Sequence, residues 1–273
     1  MDFTEIQRMC QRAANHSLSK TKLCVTSLGI VLCGLMVVFS QSLGLLSGAW
    51  VAFSLNFLPL FLSGGLLMGL GVMLIRSYHD EIKETDIGFG KLFMRSWHAA
   101  LSSAYVFMPI VLIFLSVWAL LGLFYLVSEV PMLGDFLASI LSTGPFLLHL
   151  AALLLCLFSI YILFVVTPNF ALKPFSEATV MTEESKRYLS HFFIRAVLLV
   201  VGLFPLLLSL VLLSIAATMT THGFAGSTNH LQQVMQWLMI MLPYAVLLSP
   251  SVIFFFNMAA EAHVLVHKNP ENV

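Results

Sequence analysis

Residues 23–75, LCVTSLGIVLCGLMVVFSQSLGLLSGAWVAFSLNFLPLFLSGGLLMGLGVMLI, run for 53 positions without one Asp, Glu, Lys or Arg. A helix needs about 20 apolar residues to cross the ~30 Å hydrocarbon core of a bilayer. The stretch is therefore too long for a single crossing, and Ser47-Gly48 is the natural place for it to fold back. It predicts helices at about 23–46 and 50–75. Three more stretches lack those four residue types: 96–128, 136–172 and 196–260. The first two carry one helix each, at about 99–127 and 145–167. The third is broken by the polar segment TTHGFAGSTNHLQQVMQ (residues 220–236), giving helices at about 195–219 and 237–260. Barrel strands alternate apolar and polar residues, whereas these runs are solidly apolar. The expected fold is an all-α polytopic membrane bundle of six transmembrane helices.

Composition agrees. The chain of 273 residues is 59% apolar and 10% charged, with 23 Phe, whereas an average soluble domain is roughly a quarter charged. Thirteen Lys and Arg balance thirteen Asp and Glu, so no basic surface for nucleic acid is expected. The cations are distributed unevenly. Arg8, Arg12, Lys20 and Lys22 precede the first span; Arg76, Lys83, Lys91 and Arg95 lie between the second and third. Lys173, Lys186, Arg187 and Arg195 lie between the fourth and fifth, and Lys268 follows the sixth. All thirteen fall on one side, and the three opposite loops hold none. The positive-inside rule then predicts both termini in the cytoplasm, N-in and C-in.

The organisation expected is a cytoplasmic amphipathic arm (1–22), a six-helix transmembrane domain (23–260) and a cytoplasmic tail (261–273). In the arm, Phe3, Ile6, Met9, Cys10 and Ala13 recur at helical spacing. This suits a helix on the membrane surface, although a basic topogenic arm with no further role is the simpler expectation. The apolar run before Ser40-Gln41-Ser42 is too long for the h-region of a cleaved signal peptide. Cys10, Cys24, Cys33 and Cys156 form no CxxC pair, so neither a disulfide framework nor a zinc site is expected. The second and fourth loops each read as an acidic-basic connector leading into an amphipathic helix. Ser176 and Asp86 are the predicted N-caps, and Lys91, Arg95, Lys186, Arg187 and Arg195 are placed as candidate lipid-headgroup contacts.

The segment Leu62 to Leu101, with Gly64-Gly65, Gly69, Arg76 and Asp86-Ile87-Gly88-Phe89-Gly90-Lys91-Leu92-Phe93, resembles an uncharacterised bacterial family of six-helix membrane proteins. The segment Pro168 to Arg195 looks like that family's second hallmark. The family is a domain of unknown function related to the membrane domain that accompanies some glycerophosphodiester phosphodiesterases. The resemblance implies six helices and a bacterial inner (cytoplasmic) membrane, and it implies no reaction, because the phosphodiesterase domain has no counterpart here.

The chemistry on offer is sparse. No Asp, Glu, Lys or Arg lies deep in a span, which argues against proton relays and voltage sensing. Asn56, Pro59, Gly65 and Gly69 in the second span, with Pro243, Pro250 and Asn257 in the sixth, are candidate lining residues of a substrate path. The simpler expectation is a packing seam, since Gly65-x-x-x-Gly69 brings helix backbones close. Glu261 is expected at the inner interface. His263 and His267 share a helix face without a third ligand, and His222 and His230 sit in an outer polar loop. An intramembrane enzyme would need His149, Asn56 and Asn257 to converge. No phosphate-binding loop, dinucleotide fingerprint or nucleophile motif appears, so no cofactor and no catalytic residue are predicted. The expected function is a non-enzymatic accessory or lipid- or solute-handling membrane component. Membrane lipids are its expected partners, with a membrane protein or a second copy as further candidates. The alternative is a channel or permease for a small, mostly uncharged substrate.

Overall fold

In hydrocarbon every backbone N–H and C=O must find a partner within the protein, and a helix satisfies them within its own segment. The apolar runs accordingly fold as helices in the computed structural model, which describes residues 3–45, 47–83, 89–128, 143–172, 192–221 and 230–268. Helix α1 (Phe3–Asn15) leads through a short 3-10 turn at His16–Leu18 into α2 (Lys20–Gly44). Then follow α3 (Ala49–Ile82), α4 (Phe89–Ala104), a 3-10 turn at Tyr105–Phe107 and α5 (Met108–Ser128). The remainder is α6 (Gly144–Val165), α7 (Thr167–Leu172), α8 (Phe192–Thr221) and α9 (His230–Lys268). No strand occurs among the described residues. Six helical segments are long and apolar enough to cross a membrane, matching the six predicted spans.

Two helices outrun the expected boundaries. At 1.5 Å per residue, the 34-residue α3 is roughly 51 Å long and the 39-residue α9 roughly 58 Å. Both exceed the ~30 Å hydrocarbon thickness and must project beyond it. The polar ends that read as loop and tail, 76–82 and 261–268, continue the helices.

Helix α3 forms the centre. Of its most apolar window 72% is buried inside the protein, against 11% for α8 and 17% for α2. It packs against α2, α4, α5, α6, α7 and α9, while α9 in turn carries α1, α2 and α8. Small residues permit the close approach. A Cβ added to Gly71 would stand 2.3 Å from a Phe256 ring carbon, and one on Gly64 would stand 2.4 Å from the Phe107 ring. Around these contacts lie two aromatic groups: Phe53, Phe57, Phe61 and Phe114 on one side, Phe164, Phe255 and Phe256 on the other.

The outer surface is apolar. Leu28, Leu32, Leu35, Phe39 and Leu43 form an exposed stripe on α2, and Val200, Phe204, Leu207, Val211 and Ile215 form another on α8. Patches of this extent are rare on soluble proteins and suit contact with lipid. The chain is a multi-pass membrane protein.

Proline marks one break. Pro168 has no N–H to give the carbonyl four residues earlier, and the ladder of α6 ends just before it. There Val166 N–H bonds to Ile162 O at 2.8 Å, and the Thr167 hydroxyl takes the Leu163 carbonyl at 2.6 Å. The predicted loop helix after Pro168, with Ser176, Lys186 and Arg187, lies outside the described residues, as do Asp86 and His222.

Candidate functional site

The lining expected along α3 is filled by protein. Gly65 and Gly69 face α4, where an added Cβ would lie 3.4 Å from the Ala104 carbonyl oxygen and 3.2 Å from that of Ala100. Two backbones in contact leave no space for a solute, so this face is a packing seam. Pro59 is buried, whereas Asn56 and Pro243 are exposed and Pro250 is half-buried. The structure does not bring Asn56 and Asn257 together. Asn56 is one turn from Phe53, whose ring lies 4.4 Å from that of His149, near the start of α3. Asn257 is one turn from Glu261, the partner of Tyr78; Tyr78 follows Asn56 by 22 positions, roughly 33 Å of helix. The three-residue convergence an intramembrane enzyme would need is absent among these groups.

Polar side chains gather instead at the other end of α3, around a seat for α1. The amphipathic pattern of residues 3–15 makes a helix, and its apolar side settles on the bundle: Met9 is 2% exposed and Ala13 fully buried. Asn257, also fully buried, donates from Nδ2 to the Ala13 carbonyl at 3.1 Å. One turn further, the Glu261 carboxylate accepts from the Tyr78 hydroxyl at 2.6 Å and from Arg12 Nη2 at 3.1 Å. Lys22 Nζ donates to Glu81 Oε2 at 2.6 Å, and His16 Nδ1 meets the same oxygen at 3.1 Å. Tyr78 joins both groups, since Lys22 Nζ stands 5.5 Å from its ring centroid and the His16 ring packs edge-on at 5.6 Å. A lysine that is 3% exposed and a glutamate that is 6% exposed require such partners, because unpaired buried charge is costly.

These contacts assign roles that the sequence alone did not. Asn257, expected to line a path, holds α1; Glu261, expected beside the tail, is enclosed. The arm reads as surface-lying or merely topogenic from its sequence, yet α1 is docked against α9. The signal available was Glu261 itself, a lone acid immediately after a 65-residue run without Asp, Glu, Lys or Arg (196–260), beside an arm holding Arg8 and Arg12.

A second polar feature adjoins this one. Arg195, expected on the headgroup surface, is 5% exposed and enters the wall of a half-open cleft between the α6–α7 junction, α8 and α9. Phe164, Val165, Pro168, Ala259, Ala262 and His263 also line the cleft, whose volume is about 10 Å³, room for about one water molecule. Lys91 and Arg95 lie on α4. Nearby, Arg76 ties the same end together, with Nε donating to the Ala171 carbonyl at 2.9 Å and Nη1 to the Ser96 hydroxyl at 3.5 Å. Among the described residues no group of three His, Cys, Asp or Glu side chains is arranged to hold a metal ion.

Compared with known proteins, the chain matches no family model, no curated protein and no solved structure.

Proposed function

We propose that this protein is a non-enzymatic membrane component that handles lipid or supports another membrane protein. Its termini and charged loops face the cytoplasm, and a bacterial inner membrane is its setting. The observation that carries the reading is the closed face of α3. Gly64, Gly65, Gly69 and Gly71 meet Phe107, Ala104, Ala100 and Phe256, so the segment best suited to line a permease is occupied by packing. The one-sided placement of thirteen Lys and Arg supports the orientation. Those of them that reach the surface attract anionic lipids, at about 1 kcal/mol per basic residue. Kinship with the six-helix bacterial family belongs to the proposal and rests on the motif likeness at Leu62–Leu101 and Pro168–Arg195.

The deciding experiment is mass spectrometry of the protein extracted in native nanodiscs. A stoichiometric protein partner or one enriched lipid is the expected result. Passage of glycerol or urea through proteoliposomes, well above protein-free liposomes, would overturn the reading in favour of a permease. Reporter fusions at the two termini test orientation, and activity of a periplasm-dependent reporter at either end would reject it.

A further inference from the structure

Resting on the lipid-handling reading, we propose that α1 is a hinged latch that leaves its seat on α9 for the membrane surface when the adjoining leaflet is rich in anionic lipid. The latch has two unlike faces. Thr4, Gln7, Arg8, Gln11, Arg12 and Asn15 are exposed, at spacings of three and four that place them on one side of the helix. Met9 and Ala13 are enclosed on the other side, with Ile6 and Cys10 packed there in part. A short apolar face opposite a cationic one is also what lets a helix lie in a bilayer interface. The first span opens at Lys20, so α1 stands where the chain meets the bilayer surface.

The construction of the seat lets α1 leave it. A 3-10 turn and one extended residue, Ser19 at φ −63° and ψ 125°, separate α1 from α2, so the two helices are not one rigid rod. His16 and Lys22 both meet Glu81 and fix the base of this hinge. Beyond it α1 rests chiefly on α9, tied by the Arg12–Glu261 pair and by the Asn257 bond to the Ala13 carbonyl. Water can serve the same groups once the helix has gone, so each tie contributes modestly. Asn257 Oδ1 is meanwhile buried without a hydrogen-bond partner among the described residues, a cost that the seated state bears and an opened seat loses. The apolar face of α1 is sheltered in either place. What differs is the charge: Arg12 exchanges one carboxylate for lipid phosphates, and the exposed Arg8 gains a counter-charge at an anionic surface. Each basic residue there shifts the balance about fivefold, as much as one hydrogen bond of the seat, so lipid composition decides between the two positions.

The test uses the full chain with its native cysteines replaced by Ala and spin labels on Gln7→Cys and Lys83→Cys, two exposed positions on α1 and at the end of α3. Label separations are measured by pulsed electron paramagnetic resonance in nanodiscs of phosphatidylcholine, with and without phosphatidylglycerol. One separation, that of seated α1, is expected to dominate in phosphatidylcholine, and a second, displaced population is expected to appear with phosphatidylglycerol. Arg8→Gln should shift the ratio back toward the seat about fivefold, and only in the anionic discs. Asn257→Ala should shift it about fivefold toward release in both. A single, unchanged separation in both lipids would overturn the latch. A displaced population indifferent to Arg8→Gln would overturn the anionic membrane as its destination. Arg8 lies on the surface, so that second outcome can be read even if Asn257→Ala misfolds. Native mass spectrometry of lipid retained by the detergent-purified protein separates this inference from the reading beneath it. A preference for phosphatidylglycerol over phosphatidylcholine with α1 unmoved would sink the latch alone, and no preference at all would sink the lipid-handling reading.

Discussion

Replacing Glu261 by Ala tests how the seat of α1 is held. The carboxylate serves two donors, and their surroundings differ. The Tyr78 side chain is 2% exposed, so its hydroxyl would be left buried without an acceptor, at a cost of about 1–3 kcal/mol. Arg12 is 57% exposed at the side chain and can turn to water, so its lost pairing contributes only about 0–1 kcal/mol. The expected destabilisation of Glu261→Ala is thus dominated by the orphaned hydroxyl. Tyr78→Phe should also destabilise, because the enclosed carboxylate keeps only Arg12 as a donor. The double variant should therefore be more stable than the two separate losses imply, with a coupling of about 1 kcal/mol or more. The assay is reversible unfolding in mixed detergent micelles, followed by far-UV circular dichroism. Additivity of the two substitutions to within about 0.5 kcal/mol would refute the pairing, as would a Glu261→Ala variant indistinguishable from the parent.

Other outcomes follow from the same contacts. Burial pushes the Cys10 thiol above its usual range, which lowers its thiolate fraction near neutral pH, and the thiolate is the reactive form. Maleimide labelling of Cys10 at pH 7.5 should therefore be slow in the parent and several-fold faster in Asn257→Ala, which releases the Ala13 carbonyl; equal rates would mean that α1 stays seated. In the parent, labelling should reach its half-maximal rate at a higher pH than for an ordinary cysteine. Gly71→Ala should cost about 1–3 kcal/mol by overpacking against the enclosed Phe256 ring. Gly48→Ala, with nothing within 4 Å of the added carbon, should leave thermal stability in detergent unchanged. Glu81→Gln should destabilise by leaving the enclosed Lys22 ammonium without its carboxylate, and Lys22→Met with Glu81→Gln should recover much of the loss, read by the same melts.

The spans were legible because hydrocarbon imposes a rule on every residue of a crossing, and runs such as 23–75 obey it without exception. Helix ends were less legible. Residues 76–82 and 261–268 are polar, and composition cannot separate a solvated loop from a helix that continues past the headgroups. The packing seam at Gly65 and Gly69 could be read from spacing alone, since two small residues four apart have one geometric use above all others. The seat of α1 could not. Periodicity shows that residues 3–15 possess an apolar face, but the surface that receives it is built from Tyr78, Asn257 and Glu261, far away in sequence. The enclosure of Arg195 was illegible for a related reason, since only the fold brings α9 and the α6–α7 junction around it.

The hydrogen bond from Asn257 to Ala13 spans 244 positions, and this has a consequence in time. A ribosome adding ~5–20 residues per second takes roughly 12–50 s between the two. Throughout that interval α1 has been made and its receiving surface has not, so the newborn helix has no seat for its apolar face within the chain. Its final docking is gated by the arrival of α9. A chain stalled before that helix would carry an unseated, basic, amphipathic segment.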